Sequence, residues 1–186
     1  TLHENTTLDG AVAIGGFALT SNTTGSRNVG VGFGALYTNT SGSFNTASGY
    51  QALYSNTTGE HNTAVGYQTL PLNESGALNT AIGSYALFSN STGTYNVALG
   101  YKALHSNLAG GQNVASGYYS LYSNTGSGNT ASGYYSLKNN TTGVGNAALG
   151  YNVLDTITTG SYNTAIGWEA DVSVSNLTNA TAIGNQ

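Results

Sequence analysis

The 186-residue chain has no cysteine and no methionine, and only one proline. Without cysteine there is no disulfide framework and no thiolate metal site. That is compatible with an extracellular protein stabilised by other means. Methionine is missing even at position 1, so the sequence reads as a fragment or processed product whose signal peptide or anchor lies outside it. Charge is scarce as well: 5% of residues are Asp, Glu, Lys or Arg, against about 25% in ordinary domains. Arg27, Lys102 and Lys138 are the three cations, too few for binding nucleic acid by phosphate neutralisation. The net charge of -4 is too small and scattered to steer a partner. No apolar run approaches the roughly 20 residues of a membrane span, so no membrane insertion is expected of this segment.

What is abundant is repetition. A core N-[TV]-A-x-G begins at Asn28, Asn45, Asn62, Asn79, Asn96, Asn113, Asn129, Asn146 and Asn163, with related copies from Ala11 and Ala180. The step is 17 residues, except for 16 between Asn113 and Asn129. The expected organisation is a lead-in segment (1–10), ten repeat coils (11–179) and the start of an eleventh (180–186). Counting each unit from its Asn, position 5 is always glycine: Gly15, Gly32, Gly49, Gly66, Gly83, Gly100, Gly117, Gly133, Gly150, Gly167 and Gly184. Position 9 is leucine: Leu19, Leu36, Leu53, Leu70, Leu87, Leu104, Leu121, Leu137 and Leu154. Position 6 is mostly aromatic: Phe33, Tyr50, Tyr67, Tyr101, Tyr118, Tyr134, Tyr151 and Trp168. Position 3 is Ala except for Gly30, and position 12 is Asn from Asn22 to Asn140.

Seventeen residues are too few for a helix pair, which takes about 33 or more. They fit one coil of an all-β parallel solenoid. Positions 2–6 are expected to form one strand with Ala and Gly on one face, and positions 8–10 a second strand. Positions 11–15 make a polar corner, where Asn and Ser bond the local backbone and Gly supplies positive φ. The position-5 glycines mark bends or close backbone approach. Stacking places like on like: Leu forms a spine, Asn at positions 1 and 12 forms amide ladders, and charge is avoided because a charged ladder repels itself. The 16-residue unit reads as a shortened, solvent-facing corner.

Such a coil encloses little volume. Its position-4 aliphatics and position-6 aromatics would form a long exposed apolar face, which favours several copies packed around a common axis. The unit N-T-A-[IVLS]-G-Y-x-A-L resembles the head repeat of trimeric autotransporter adhesins (YadA-like heads). The continuation A-L-x-S-N-T-T-G is similar to repeats of tail-fibre-type surface proteins that end in a self-cleaving chaperone domain. The resemblance implies a homotrimer of left-handed parallel β-rolls, on a cell surface or a virion fibre, with position 6 as an inter-chain aromatic column. The 17-residue length exceeds the family's short coil.

Residues that carry chemistry elsewhere are dispersed. His3, His61 and His105 occupy unlike positions and do not assemble a metal site. Among the acids Glu4, Asp9, Glu60, Glu74, Asp155, Glu169 and Asp171, only Glu169 and Asp171 are close in sequence, with no partner to complete a catalytic set. No Ser or Thr has a His–Asp arrangement, and Gly30-Val-Gly32-Phe-Gly34 lacks the strand–helix setting of a dinucleotide site. The sequons at Asn22, Asn39, Asn56, Asn73, Asn90 and Asn140 are better explained by the corner than by glycosylation. No catalytic residue, cofactor or metal is therefore expected. The expected function is a non-enzymatic extracellular structural or adhesive module. Its partners would be its own copies, a host surface, matrix or glycan receptor, and further rods joined end to end. The alternative is a solenoid binding ice or glycans through repeated Thr, Asn or Tyr faces. The position-2 threonines (Thr46, Thr63, Thr80, Thr130, Thr164) alternate with Val29, Val97 and Val114, which reads as a buried column and counts against ice.

Overall fold

A computed structural model describes residues 10–185. His3, Glu4, Asp9 and all but the last residue of the lead-in segment lie outside the described residues. Eleven three-residue strands form one parallel sheet in strict sequence order: β1 (Val12–Ile14), β2 (Val29–Val31), β3 (Thr46–Ser48), β4 (Thr63–Val65), β5 (Thr80–Ile82), β6 (Val97–Leu99), β7 (Val114–Ser116), β8 (Thr130–Ser132), β9 (Ala147–Leu149), β10 (Thr164–Ile166) and β11 (Thr181–Ile183). Register is kept residue for residue, as in Thr63↔Thr80, Ala64↔Ala81 and Val65↔Ile82. The molecule is a parallel β-solenoid with one coil per repeat. At about 4.8 Å per coil, ten steps span on the order of 48 Å.

The strand covers positions 2–4, not 2–6, and the expected second strand at positions 8–10 is a turn. The reason lies in the backbone angles. Each leucine of the spine is left-handed, with φ between 49 and 54 in all nine. Position 7 is left-handed too (Gln51 φ 53, Tyr85 φ 60), as is position 17 (His61 φ 56, Tyr95 φ 59). A single left-handed residue reverses the local direction and ends a strand. The corner Gly at position 15 does not supply the positive φ expected of it. It is needed because a Cβ on Gly76 would lie 2.6 Å from the Gly93 carbonyl and against the Asn73 amide oxygen.

Left-handed residues persist because the backbone bonds to the neighbouring coils well beyond the strand. Leu36 N–H donates to Ala52 O at 3.0 Å, Thr38 N–H to Tyr54 O at 3.0 Å, and Phe44 N–H to Ser26 O at 3.0 Å. The lone proline fits this pattern. Pro71 occupies position 10, where Tyr54 and Phe88 in the flanking coils make no backbone N–H bond, and its carbonyl still accepts from Ser55 at 2.8 Å.

The interior is narrow. Ala at positions 3 and 8 (Ala13 and Ala182 at the two ends only partly), the nine leucines, and Asn at positions 1 and 12 are buried. The asparagines are paired as ladders. Asn56 Nδ2 donates to Asn39 Oδ1 at 2.7 Å, and Asn73 Nδ2 to Asn56 Oδ1 at 2.7 Å. Within a coil, both asparagines converge on one carbonyl: Asn28 and Asn39 donate to Gly42 O at 2.7 and 2.9 Å. Burying an amide this thoroughly is tolerable only when its hydrogen bonds are made.

The 16-residue coil breaks one seam. In a regular corner, Glu74, Ser75 and Gly76 N–H all donate to Ser91 O at 3.0–3.2 Å. Facing the short corner, Leu108, Ala109 and Gly110 make no such bond among the described residues. Asn107 Oδ1 is buried with no donor: Asn124, one residue nearer its corner glycine than in a regular coil, donates to Gly126 O at 2.8 Å and not to Asn107. The shortened corner is accommodated at the surface, but it costs these pairings. Inserting a threonine between Thr125 and Gly126 restores N-T-T-G and should stabilise the chain by about 1–3 kcal/mol. A urea midpoint that stays put or falls would show the seam is not a weak point. Asn140 Oδ1 is orphaned for a simpler reason: the next coil has Ile157 where an Asn should donate.

Candidate functional surface

With Ala, Leu and Asn inside, most variable side chains point out; Thr69, Ser120, Ser136 and Val153 at position 8 and Ile157 at position 12 are buried. Of the residues singled out by sequence, the nine leucines stand in the interior as one spine. The position-5 glycines have φ from 118 to 144, and all but Gly184 press on the coil beside them. A Cβ on Gly83 would lie 2.6 Å from Gly100 O. The position-6 aromatics are all exposed by more than a third. They run as two stacks. Phe33, Tyr50 and Tyr67 have centroids 5.2–5.5 Å apart. Tyr101, Tyr118, Tyr134, Tyr151 and Trp168 follow at 4.2–5.3 Å. Ser84 interrupts the column.

Beside these stacks the position-4 column, on the sheet itself, is equally open: Ile82 is 44% exposed and Leu149 52%. Position 2 also faces outward, with Val114 39% exposed. The expected burial of the Thr/Val column is thus incorrect. In a three-residue strand with Ala pointing in, both flanking residues must point out, and Thr46, Thr63 and Thr80 align in register on the outer face.

Aromatic ladders at positions 7, 10 and 17 escaped the sequence reading. Tyr37 stacks on Tyr54 at 5.0 Å, Phe44 on His61 at 4.7 Å, and Phe88, His105 and Tyr122 follow one another at 5.0–5.1 Å. No single residue type dominates these positions, so periodicity gave no signal there. The usable signal was any aromatic recurring 17 residues on. Partial burial holds the His105 imidazole below its usual range. The Lys102 ammonium lies 5.4–5.9 Å from the ring centroids of Tyr85, Tyr101 and Tyr119. A hydrogen bond with Tyr119 is the main cause raising its pKa. A hydrogen bond to Tyr135 pushes the Tyr134 phenol up to about 12. Where Gly34 stands at position 7, a groove of about 180 Å³ opens between Phe17, Phe33, Tyr37 and Tyr54.

His61 and His105 are not brought together. Asp171 is used locally, accepting from Thr156 N–H at 2.9 Å and Val172 N–H at 2.8 Å. Asp155 accepts from Asn139 at 2.9 Å, and burial raises its carboxyl. Among the described residues no three of His, Cys, Asp or Glu gather to hold a metal ion. No helix there is long and apolar enough to cross a membrane. The sequon asparagines are fully buried, and Asn73 Nδ2 already makes two hydrogen bonds. A glycan on such a nitrogen is incompatible with this fold.

The chain matches no protein-family model, no curated protein and no solved structure with which it was compared.

Proposed function

We propose that this chain is a non-enzymatic structural and adhesive module, one strand of a trimeric, left-handed β-roll rod on the outside of a cell, virion or fibre. The observation that carries this reading is the paired apolar surface along the rod, aliphatics at position 4 beside aromatics at position 6. A monomeric soluble protein rarely leaves so long an apolar surface to water, even one broken by Ser48, Ser84, Ser116 and Ser132. A threefold axis lets three identical columns cover one another. The number three follows from the resemblance of the repeat to YadA-like heads. The rod's work is to extend, stay folded and present a repetitive surface to a host, matrix or glycan receptor. End-to-end joining into a filament belongs to the same reading.

Light scattering should return three times the 18.9 kDa of one chain. Ile82→Asp should drop the mass to a single chain while the β circular-dichroism signal persists, because Ile82 is outside its own chain's core. A wild-type protein that is fully folded at single-chain mass overturns the proposal.

A second reading is favoured by the outward threonines. Thr46, Thr63 and Thr80 lie in register on a regular face, a geometry suited to ordering water or ice. Thermal hysteresis in the wild type, lost in Thr63→Lys, would support it. Its absence would leave the rod reading in place.

A further inference from the structure

The chain has 14 tyrosines but neither cysteine nor methionine, so the side chains that usually absorb oxidants are missing. The tyrosines are not evenly placed. Tyr118, Tyr119, Tyr122, Tyr134 and Tyr135 converge on two adjacent coils, with Tyr119 at the centre. Its ring lies 4.7 Å from Tyr118, 4.8 Å from Tyr122, 5.6 Å from Tyr135 and 5.7 Å from Tyr101.

Along the columns tyrosines stack almost parallel, as Tyr37 on Tyr54 at 10° and Tyr50 on Tyr67 at 8°; Tyr85 too lies edge-on to its neighbours, at 70° to Tyr67 and 86° to Tyr101, but with centroids 5.4 and 6.1 Å away. Parallel stacking keeps every ring carbon at the column spacing from its counterpart. Tyr119 is tilted 37° to Tyr122, 47° to Tyr118 and 87° to Tyr135. At similar centroid distances, a tilt brings one edge of a ring inside the centroid separation. Phenoxyl radicals couple at ring-edge carbons next to the hydroxyl, so the approach of a ring edge, not face-on stacking, is the geometry that coupling needs. Tyr119, Tyr122 and Tyr135 are also only partly buried, which leaves their hydroxyls within reach of an oxidant.

We propose that this cluster is a site of oxidative tyrosine coupling, in which Tyr119 joins Tyr122 or Tyr135 of the same chain. The oxidant is a haem-peroxidase system using hydrogen peroxide. Each phenol gives up one electron and its hydroxyl proton. The two phenoxyl radicals form one carbon–carbon bond between positions ortho to the oxygens. The two displaced ring hydrogens return to those oxygens, restoring both phenols. The pair has lost two hydrogens in total, and one hydrogen peroxide has become two waters. A Tyr119–Tyr135 bond ties neighbouring coils together, a covalent staple in a chain that has no disulfide. The inference uses contacts within one chain and does not depend on the trimer.

The test is to oxidise the dilute protein with a peroxidase and hydrogen peroxide. The readouts are intact mass, dityrosine fluorescence, a denaturing gel and a chymotryptic map. The expected product is a single chain lighter by two hydrogens per bond, with Tyr119 in the coupled peptide. Tyr119→Phe should lose most of the yield. That variant keeps the fold available, because Phe17 occupies the same coil position at φ 60, beside φ 57 for Tyr119. Tyr95→Phe should keep the full yield: Tyr95 is 58% exposed, but no other ring lies against it among the described residues. Coupling centred on Tyr95 or Tyr162, bonds mainly between chains, full yield in Tyr119→Phe, or oxygen addition at Trp168 as the main product would each overturn the proposal.

Discussion

Leu87→Asp should abolish the cooperative melt of the array, with a loss of at least about 3 kcal/mol. Leu87 is fully buried in the fifth coil and has spine leucines on either side. Its backbone is left-handed, φ 51, a conformation that Asp tolerates better than most residues. The substitution therefore leaves the backbone unstrained and isolates the interior. A carboxylate there has no cation to pair with, since the spine is surrounded by alanine and by asparagines whose amides are already committed. The carboxyl must bind a proton or the coil must open. Because each coil touches only its neighbours, damage at the fifth leaves two short arrays rather than one weakened array. Circular dichroism during heating is the measurement, and a midpoint equal to wild type would show that position 9 is not the spine. Leu87→Met, which roughly keeps the volume, should cost under about 1.5 kcal/mol.

Gly83→Val should be comparably damaging, about 3 kcal/mol or more, for two separable reasons. The first is conformational: Gly83 has φ 127, where a β-branched residue does not fit. The second is steric: a Cβ would lie 2.6 Å from the Gly100 carbonyl oxygen and 2.7 Å from its carbon. Backbone is the obstacle, so no side chain can move aside. The two causes separate through alanine variants. Gly184 has φ 122, yet a Cβ there meets nothing within 4 Å. Gly184→Ala therefore reports the conformational cost, and the excess in Gly83→Ala reports the collision between coils. Chemical denaturation of the three variants gives both numbers. Equal costs at 83 and 184 would remove close approach as the reason for glycine at position 5.

The parts of the fold that could be read in advance are those in which stacking forces identity. An amide ladder needs Asn over Asn, so Asn39, Asn56 and Asn73 recur at fixed spacing and are seen paired. A buried spine needs Leu over Leu, and a backbone contact needs Gly over Gly. Elsewhere the residue type carried no message. Nothing in Leu53 or Gln51 announces a left-handed backbone, because that angle is imposed by hydrogen bonds to the coils on either side. The length of the strand and the outward aspect of Thr63 follow from the same turns. On the surface, Tyr119 and its neighbours became a cluster only when two coils with double aromatics, Tyr118-Tyr119 and Tyr134-Tyr135, came to lie side by side.

By itself, then, the sequence determined the period, the parallel register and the composition of the interior. A chain repeating every 17 residues can bury one leucine and two amides per turn only by laying each turn on the last. The tertiary structure decided what repetition leaves open: where the chain reverses, which faces look outward, and what one missing residue costs at Asn107. Those depend on hydrogen bonds and distances between neighbouring coils. A residue's identity does not encode them until the neighbour is in place.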